Sequence, residues 1–215
     1  MGKIIKNKTT LVYKGVKFDS DEEVFVAMWL QELQDAGLVK SWSKVTKAFP
    51  MTSGLKLKYE RTTILKTKTK VEHKEHTLLR PSEYTPDFEV LFSINGWLRF
   101  NSGIYNDIDP KKLFFTRGAW MQPVYLEVKP SFDQNNMERL FKLNQKFLWD
   151  KEQIFVNLVE PLALFEKTFL PLAATDYFKY KVVTKKIIAK GKKKGDWKLD
   201  FIPKTLKEYL DATMA

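Results

Sequence analysis

The chain has 215 residues and a formal net charge of +11, from 37 basic and 26 acidic residues. It is 44% hydrophobic, which fits one domain with a substantial core, and it has no cysteine, which excludes a disulfide scaffold and a thiolate zinc site. No apolar run is long enough to span a bilayer. We therefore expect a cytoplasmic protein with no membrane role and with nucleic acid as its polyanionic partner.

The N-terminal part predicts an extended arm followed by a helix. Residues 3–18 are basic and β-like, which favours a short hairpin or arm. Ser20 is a good N-cap, Glu23 completes a capping-box pattern, and apolar residues at helical spacing lead to Gly37, a natural stop. Glu23 is either an exposed capping partner or a site residue on the stripe that faces the sheet, and it fits the second role better than Glu22.

The next segment predicts antiparallel strands. Residues 38–49 favour a strand, and the alternation over residues 56–71 favours a meander with a lysine-rich outer face. Those lysines either contact phosphates or simply face solvent. His73 and His76 have charged neighbours and no surrounding helical pattern, so they predict a polar loop rather than a metal-binding pair.

Two strands carry the most informative charges. The first runs over residues 84–92, where Pro86 places Asp87 at the mouth of the strand. The second runs over residues 124–130, where Glu127 and Lys129 are two apart and so point to one side. Tyr125 shares that charged face. The opposite face is apolar and can pack on a helix; it is formed by Val124, Leu126 and Val128.

About three dozen residues separate Asp87 from Glu127, more than a simple hairpin needs. The segment 95–122 is rich in turn signals, aromatic residues and basic residues, Arg117 among them. Such residues either stack on bases and grip phosphates or form the small core of an inserted lobe. We predict a β-rich insertion. A helix over 133–149 and a buried parallel strand over 153–159 follow, with a further helix from Pro161 to Phe169.

From Phe178 onward lysines crowd the chain. This composition is typical of phosphate-backbone binding without sequence readout, although a solvated tail explains it too. A short helix is predicted over 203–212. The predicted DNA-binding residues are Arg117, Lys185, Lys186, Lys192, Lys193 and Lys194.

Three patterns follow one another along the chain: Tyr13-x-Gly15-x-x-Phe18-x-Ser20-x-x-Glu23, then Pro86-Asp87, then Glu127-Val128-Lys129. Together, over roughly residues 13–160, they resemble the PD-(D/E)xK nuclease superfamily, especially its small phage and transposase-type endonucleases and Holliday junction resolvases. The resemblance implies an α/β fold with a restriction-endonuclease-like core, in which helices flank a mixed β-sheet in the order α-β-β-β-α-β. The nuclease-like domain would span residues 1–175, with the insertion at about 95–122, and a basic C-terminal extension would span 176–215.

The resemblance also implies a chemistry. Asp87, Glu127 and the Val128 carbonyl would bind Mg²⁺, with Mn²⁺ as a substitute, and Glu23 and Lys129 would complete the catalytic set of Glu23, Asp87, Glu127 and Lys129. The expected reaction is metal-dependent hydrolysis of DNA phosphodiester bonds by an endonuclease of phage or mobile-element type, acting in the host cytoplasm. Cutting would be selective for DNA structure or directed by a partner.

Two other functions fit part of the pattern. A catalytically silent, nuclease-like DNA-binding subunit of a recombination, packaging or transposition complex would keep the basic patches but lack a productive cleft. An RNA-binding component with a coincidental motif would show no metal dependence. The sequence leaves open whether the protein works as a homodimer or within a larger nucleoprotein complex.

Overall fold

A computed structural model describes residues 11–105, 109–118, 121–130, 137–179 and 197–213. Its N-terminal half contains β1 Leu11–Tyr13, β2 Val16–Phe18, α1 Asp21–Asp35, β3 Val39–Lys44, β4 Phe49–Thr52, β5 Leu55–Ile64, β6 Thr69–Leu79, β7 Ser82–Tyr84, β8 Phe88–Phe92 and α2 Ile94–Phe100. Its C-terminal half contains β9 Asn101–Gly103, β10 Phe114–Thr116, β11 Val124–Val128, α3 Met137–Glu152, β12 Val156–Val159, α4 Pro161–Lys167, a 3₁₀ helix Leu172–Tyr177, β13 Phe178–Lys179, β14 Trp197–Lys198 and α5 Leu206–Ala212.

A four-stranded mixed sheet lies at the centre, in the strand order β12-β11-β8-β3. The β3, β8 and β11 strands are antiparallel neighbours, and β12 runs parallel to β11. A parallel neighbour needs a crossover connection, which α3 supplies. The prediction of an α/β fold with a mixed sheet and flanking helices is confirmed.

The sheet separates two apolar layers. On one face, Val90 and Leu126 join a large core with Val26 and Leu30 of α1. On the other, Val156 packs with Phe141 and Leu148 of α3 in a second core cluster, against which Tyr125 rests. The side chains of β11 alternate between these layers, because successive strand residues point to opposite faces. This is the alternation that the sequence predicted, with the apolar face of β11 packed on a helix.

Helix α1 begins and ends as predicted, but it is covered more completely than its pattern indicates. The Ser20 side chain accepts a hydrogen bond from the Glu23 backbone N–H, and Gly37, with φ at 73°, follows the helix end. All residues from Glu23 to Leu30 are buried. The reason is that α1 packs against the end of α4 as well as against the sheet. There the Trp29 indole N–H donates to the hydroxyl of Thr168, the residue that follows α4, at 3.1 Å.

The segment 95–122 differs from the predicted β-rich insertion. Its first residues lie in α2, and β9 and β10 pair in parallel rather than as a hairpin. The rings of Phe100 and Phe114 lie 5.6 and 6.1 Å from Trp29 of α1, inside the main core. Prediction of a lobe with its own small core is therefore wrong, because these aromatic residues complete the core of the domain.

Gly96, predicted to be in a turn, lies within α2 and allows this helix to approach the chain at Leu38. A Cβ at Gly96 would lie 1.9 Å from the Leu38 carbonyl oxygen, whereas one at Gly118 would meet only the Gln122 side chain, at 3.0 Å. We expect Gly96→Ala to lower the free energy of unfolding by about 2–3 kcal/mol, as overpacking against backbone does. Gly118→Ala should change it by less than about 1 kcal/mol. Urea denaturation of both variants checks the difference, and equal stabilities would contradict it.

The longest addition to the central sheet lies between β3 and β8. There β4 pairs with β7, and β5 pairs with β6 in a long antiparallel hairpin. The loop predicted for His73 and His76 is wrong, since both lie on β6. Residues three apart on a strand point to opposite faces, so these two histidines do not form a metal-binding pair.

The C-terminal part returns to the main core. Phe178, Leu199 and Tyr209 are buried there, and the Tyr209 ring stacks on Phe100 with centroids 6.0 Å apart. The predicted final helix is confirmed as α5, which begins with a capping box between Thr205 and Glu208. No helix in the described ranges is long and apolar enough to cross a membrane. Five of the predicted DNA-binding residues lie outside the described residues: Lys185, Lys186, Lys192, Lys193 and Lys194.

Candidate active site

Asp87 lies where strands β8 and β11 stop pairing. The last paired residues are Phe88 and Leu126, and one step further the Asp87 backbone N–H still donates to the Leu126 carbonyl at 3.0 Å. At the next position a side chain replaces the backbone as the hydrogen-bond acceptor, because Asp87 Oδ2 accepts the Val128 N–H at 2.7 Å. Pro86, which has no N–H to donate, precedes this point. Asp87 is thereby fixed against β11 at the mouth of the strand, as predicted.

The same geometry orients the backbone of Val128. In an antiparallel ladder the N–H and C=O of one residue point to the same neighbouring strand. Since the Val128 N–H donates to Asp87, its carbonyl oxygen points toward the same edge. The Asp87 carboxylate and this carbonyl therefore lie on one side of β11.

Glu127 is held by two neighbours although it is only 6% exposed. The Tyr84 hydroxyl donates to Glu127 Oε2 at 2.8 Å, and the Lys129 ammonium donates to Oε1. Lys129 is itself anchored through its backbone N–H, which donates to the Val159 carbonyl of β12. The prediction that Glu127 and Lys129 share a face is confirmed.

Glu23 reaches the same end of the sheet from the first turn of α1. Only 7% of Glu23 is exposed, and its Oε2 accepts from Lys44 Nζ at 2.9 Å. Lys44 ends β3 opposite Phe88, the neighbour of Asp87. Burial alone would lower the pKa of Lys44, but the hydrogen bonds and charges of Glu23 and Asp19 outweigh it and raise that pKa. Glu23 thus caps its helix and also lies in a charged cluster with Lys44, Tyr84, Asp87, Glu127 and Lys129.

The carboxyl group of Asp87 is shielded from solvent and lies near two other carboxylates. Burial, followed by the charges of Glu127 and Glu23, raises the pKa of Asp87 to about 7, although the Val128 N–H and the Lys129 ammonium oppose the shift. Burial and the charge of Glu127 likewise raise the pKa of Tyr84. The tyrosine therefore stays protonated and serves Glu127 as a hydrogen-bond donor.

The cluster fits a divalent cation in its charge and in its oxygen donors. The charge of Glu127 adds to the effect of burial in raising the pKa of Asp87, and a cation bound between these two carboxylates would offset both. Within the described part of the chain, no three His, Asp or Glu side chains form a ready metal-binding group. Asp87, Glu127 and the Val128 carbonyl would instead form an open set of ligands, one that leaves other coordination positions of the ion to water. Such a set suits an ion that keeps several of its waters, as Mg²⁺ does.

Arg117 lies elsewhere. It lines a cavity of about 290 Å³ together with Gln122, Tyr125 and Phe155, beside the start of β11, whereas Glu127 and Lys129 lie at the other end of that strand. The four predicted catalytic residues lie at one end of the sheet, where Glu127 contacts Lys129 and Glu23 affects Asp87 through its charge, and Arg117 does not join them.

Sequence reasoning missed two members of the cluster. Tyr84 follows from the sequence only as part of a strand, and its distance of three residues from Asp87 gives no sign that it bonds Glu127. Lys44 is one of many lysines, and only the antiparallel register of β3 on β8 brings it to Glu23. Neither residue carries a motif by which it could have been found.

No protein-family model, no curated protein and no solved structure matches this chain. A function for the cluster must therefore follow from its own residues and from the pattern that predicts their meeting.

Proposed function

We propose that this protein is a metal-dependent endodeoxyribonuclease that hydrolyses phosphodiester bonds at the cluster of Glu23, Asp87, Glu127 and Lys129. One observation carries the proposal: Asp87 is hydrogen-bonded across the strand ends to Val128, directly beside the Glu127–Lys129 pair. The order of core elements, α1-β3-β8-β11-α3-β12, supports it further. This is the order that the resemblance to PD-(D/E)xK nucleases implies for a restriction-endonuclease-like core.

Asp87, Glu127 and the Val128 carbonyl would hold a Mg²⁺ or Mn²⁺ ion. When bound, such an ion polarises a phosphoryl oxygen, lowers the pKa of a coordinated water and offsets negative charge in the transition state. The chain's own residues prepare this site. The Val128 N–H orients Asp87, and the Tyr84 hydroxyl fixes the rotamer of Glu127.

The two lysines differ in their role. Lys129 donates to Glu127 but keeps part of its side chain accessible, so its ammonium can turn to a phosphate that carries developing negative charge. Lys44 is paired with the buried Glu23 and steadies that carboxylate at the edge of the cluster. We therefore assign charge stabilisation during the reaction to Lys129 and positioning of Glu23 to Lys44.

The net charge of +11 supports DNA as the substrate, because phosphate contacts supply most of the affinity for nucleic acid. We propose cutting that is selective for DNA structure or directed by a partner. The residues proposed for backbone contacts remain Arg117, Lys185, Lys186, Lys192, Lys193 and Lys194.

Cleavage of a labelled DNA panel tests the proposal. The panel holds single-stranded, duplex, flap and four-way-junction DNA, each incubated with Mg²⁺, Mn²⁺ or EDTA. Cutting that requires a metal ion would support the nuclease, and the preferred DNA would define the subtype. Binding without cutting would favour the silent DNA-binding subunit. The structure offers a reason for such a result, because the ion pairs Glu23–Lys44 and Glu127–Lys129 each neutralise a carboxylate. If the protein neither cuts nor binds any of these DNAs, a role on DNA is refuted.

Tyr84 should matter for rate more than for DNA affinity. Tyr84→Phe removes the donor to Glu127, so we expect cleavage to slow on the order of tenfold and stability to fall by about 1–3 kcal/mol, with DNA affinity unchanged. Tyr125→Phe is the matched control, because the Tyr125 hydroxyl bonds Glu89 instead. Its cleavage rate should stay within about twofold of the wild type. Equal losses of rate in both variants would argue against a positioning role for Tyr84.

A further inference from the structure

The β5–β6 hairpin, residues 55–79, is a ribbon exposed on both faces. The two strands form a sheet of their own, and in the described part of the chain neither pairs with another strand. Nearly every residue on them is exposed, including Ile64 at 83% and Val71 at 53%. Ten paired residues at about 3.3 Å each give a length of roughly 33 Å. A lone two-stranded ribbon buries little apolar surface and is marginally stable in water, so a partner for it is expected.

The strand register gives the ribbon two faces of different charge. The face that we call the basic face carries three basic residues and one acidic residue beside two half-exposed apolar side chains: Leu57, Tyr59, Arg61, Lys70, Glu72 and Lys74. The opposite face, the neutral face, balances two lysines against two glutamates: Lys56, Lys58, Glu60 and Glu75. The turn at the tip adds Lys66 and Lys68. Positive charge is therefore concentrated on one face and on the tip.

Ion pairing preserves this asymmetry. On the basic face a single carboxylate, Glu72, serves both Lys70 and Lys74, and the three basic residues there lower the pKa of Glu72. On the neutral face Glu75 serves both Lys56 and Lys58, while Glu60 lies beside His73. The basic face thus keeps an excess of positive charge after its own pairs are formed.

The base of the ribbon joins the candidate active site. After β6 the chain returns through β7, which ends at Tyr84, the residue that donates to Glu127. Three residues later comes Asp87. A polymer bound along the ribbon would therefore lead to the catalytic cluster.

We propose that the β5–β6 hairpin is an arm that holds duplex DNA beside the cleavage site through its basic face and tip. The proposal rests on the proposed function for the identity of the polymer. The major groove of B-DNA admits a two-stranded β-ribbon, and lysine and arginine on such a ribbon neutralise the flanking phosphates. Tyr59 and Leu57 lie among these cations and supply contact surface to sugars and base edges. Charge favours DNA over a second copy of this chain, which is itself basic with a net charge of +11.

Two matched double variants test the arm. Lys70→Gln/Lys74→Gln removes both lysines around Glu72 on the basic face, and Lys56→Gln/Lys58→Gln removes both lysines around Glu75 on the neutral face. The change in net charge is the same, and both pairs lie on exposed strands, so folding is preserved in each. Binding of the full chain to a fluorescent duplex is measured in EDTA, so that no cleavage occurs, over a series of salt concentrations. Lys66→Gln/Lys68→Gln tests the tip in the same way.

We expect the basic-face variant to lose on the order of tenfold in duplex affinity at about 0.1 M salt. The slope of log K against log salt should fall by about 2, one unit for each lost phosphate contact. The neutral-face variant should stay within about twofold of the wild type. Equal losses in both variants, or none in either, would overturn the arm, and so would a change in oligomeric state in sedimentation without a change in DNA affinity.

Cleavage assays on the same variants separate this inference from the proposed function. Metal-dependent cutting by the wild type with equal duplex binding by all variants would refute the arm and leave the nuclease intact. Suppose that only the basic-face variant loses duplex binding and that no protein cuts DNA with any metal ion. This result would support the arm and refute the nuclease.

Discussion

Glu127→Gln is expected to lose at least about 10³-fold in the rate of DNA cleavage while it keeps its affinity for DNA. The substitution preserves shape, and the amide oxygen can still accept from the Tyr84 hydroxyl. It removes one anionic ligand of the proposed metal site and the charge partner of Lys129. Lewis-acid stabilisation by a metal is worth several kcal/mol, and about 4 kcal/mol corresponds to that factor. Single-turnover cleavage and binding in EDTA measure the two properties separately.

Glu83→Gln is the matched control for this variant. Glu83 is an exposed carboxylate on β7, next to Tyr84 in sequence and on the other side of the strand. Its conversion to glutamine changes the net charge equally but leaves the cluster intact, so cleavage should stay within about twofold of the wild type. Retained activity in Glu127→Gln would exclude this carboxylate from the reaction.

Asp87→Asn is expected to be more stable than the wild type at pH 8 and equally stable near pH 4. Burial and the charge of Glu127 raise the pKa of Asp87 from 3.8 to about 7 in the folded protein. The folded state therefore binds more protons than the unfolded state between these values, and the stability from Asp87 falls as pH rises through that window. Above pH 7 the ionised carboxylate costs roughly 2–4 kcal/mol, which asparagine avoids while still accepting from the Val128 N–H.

The difference between variant and wild type isolates this effect from other titrating groups. Urea denaturation at pH 4 and pH 8 gives the free energy of unfolding for both proteins. Asp150→Asn, an exposed change on α3, serves as the control and should shift stability by less than about 0.5 kcal/mol at either pH. Destabilisation of Asp87→Asn at pH 8 would contradict the cost assigned to burial of the Asp87 carboxylate near the charge of Glu127. The expected gain in stability with loss of activity is the trade-off typical of functional sites.

Local patterns predicted the core of this fold well. The cap at Ser20, the stop at Gly37 and the period-2 alternation of β11 each depend on residues close in sequence, so they could be read directly. The Pro86-Asp87 and Glu127-x-Lys129 patterns could be placed at strand ends for the same reason. Their meeting depends on the pairing of β8 with β11, which the resemblance implied and the register now provides.

The rest depends on contacts between distant residues. Phe100 and Phe114 read equally well as the core of an insertion, and only the position of Trp29 in α1 brings them into the main core. The asparagine and glycine at 95 and 96 predict a turn, yet close packing against Leu38 requires the glycine inside a helix. The charge asymmetry of the hairpin depends on its register, since a slip by one residue would move every side chain of one strand to the other face.

Titration calorimetry with Mn²⁺ at pH 7.5 tests the central claim most directly, using the wild type, Asp87→Asn and the control Glu83→Gln. A metal site formed by Asp87 and Glu127 predicts one bound ion per chain in the wild type and in Glu83→Gln. In Asp87→Asn that binding should be lost. Equal binding by all three proteins, or none by the wild type, would contradict the claim that this cluster is a metal-dependent active site.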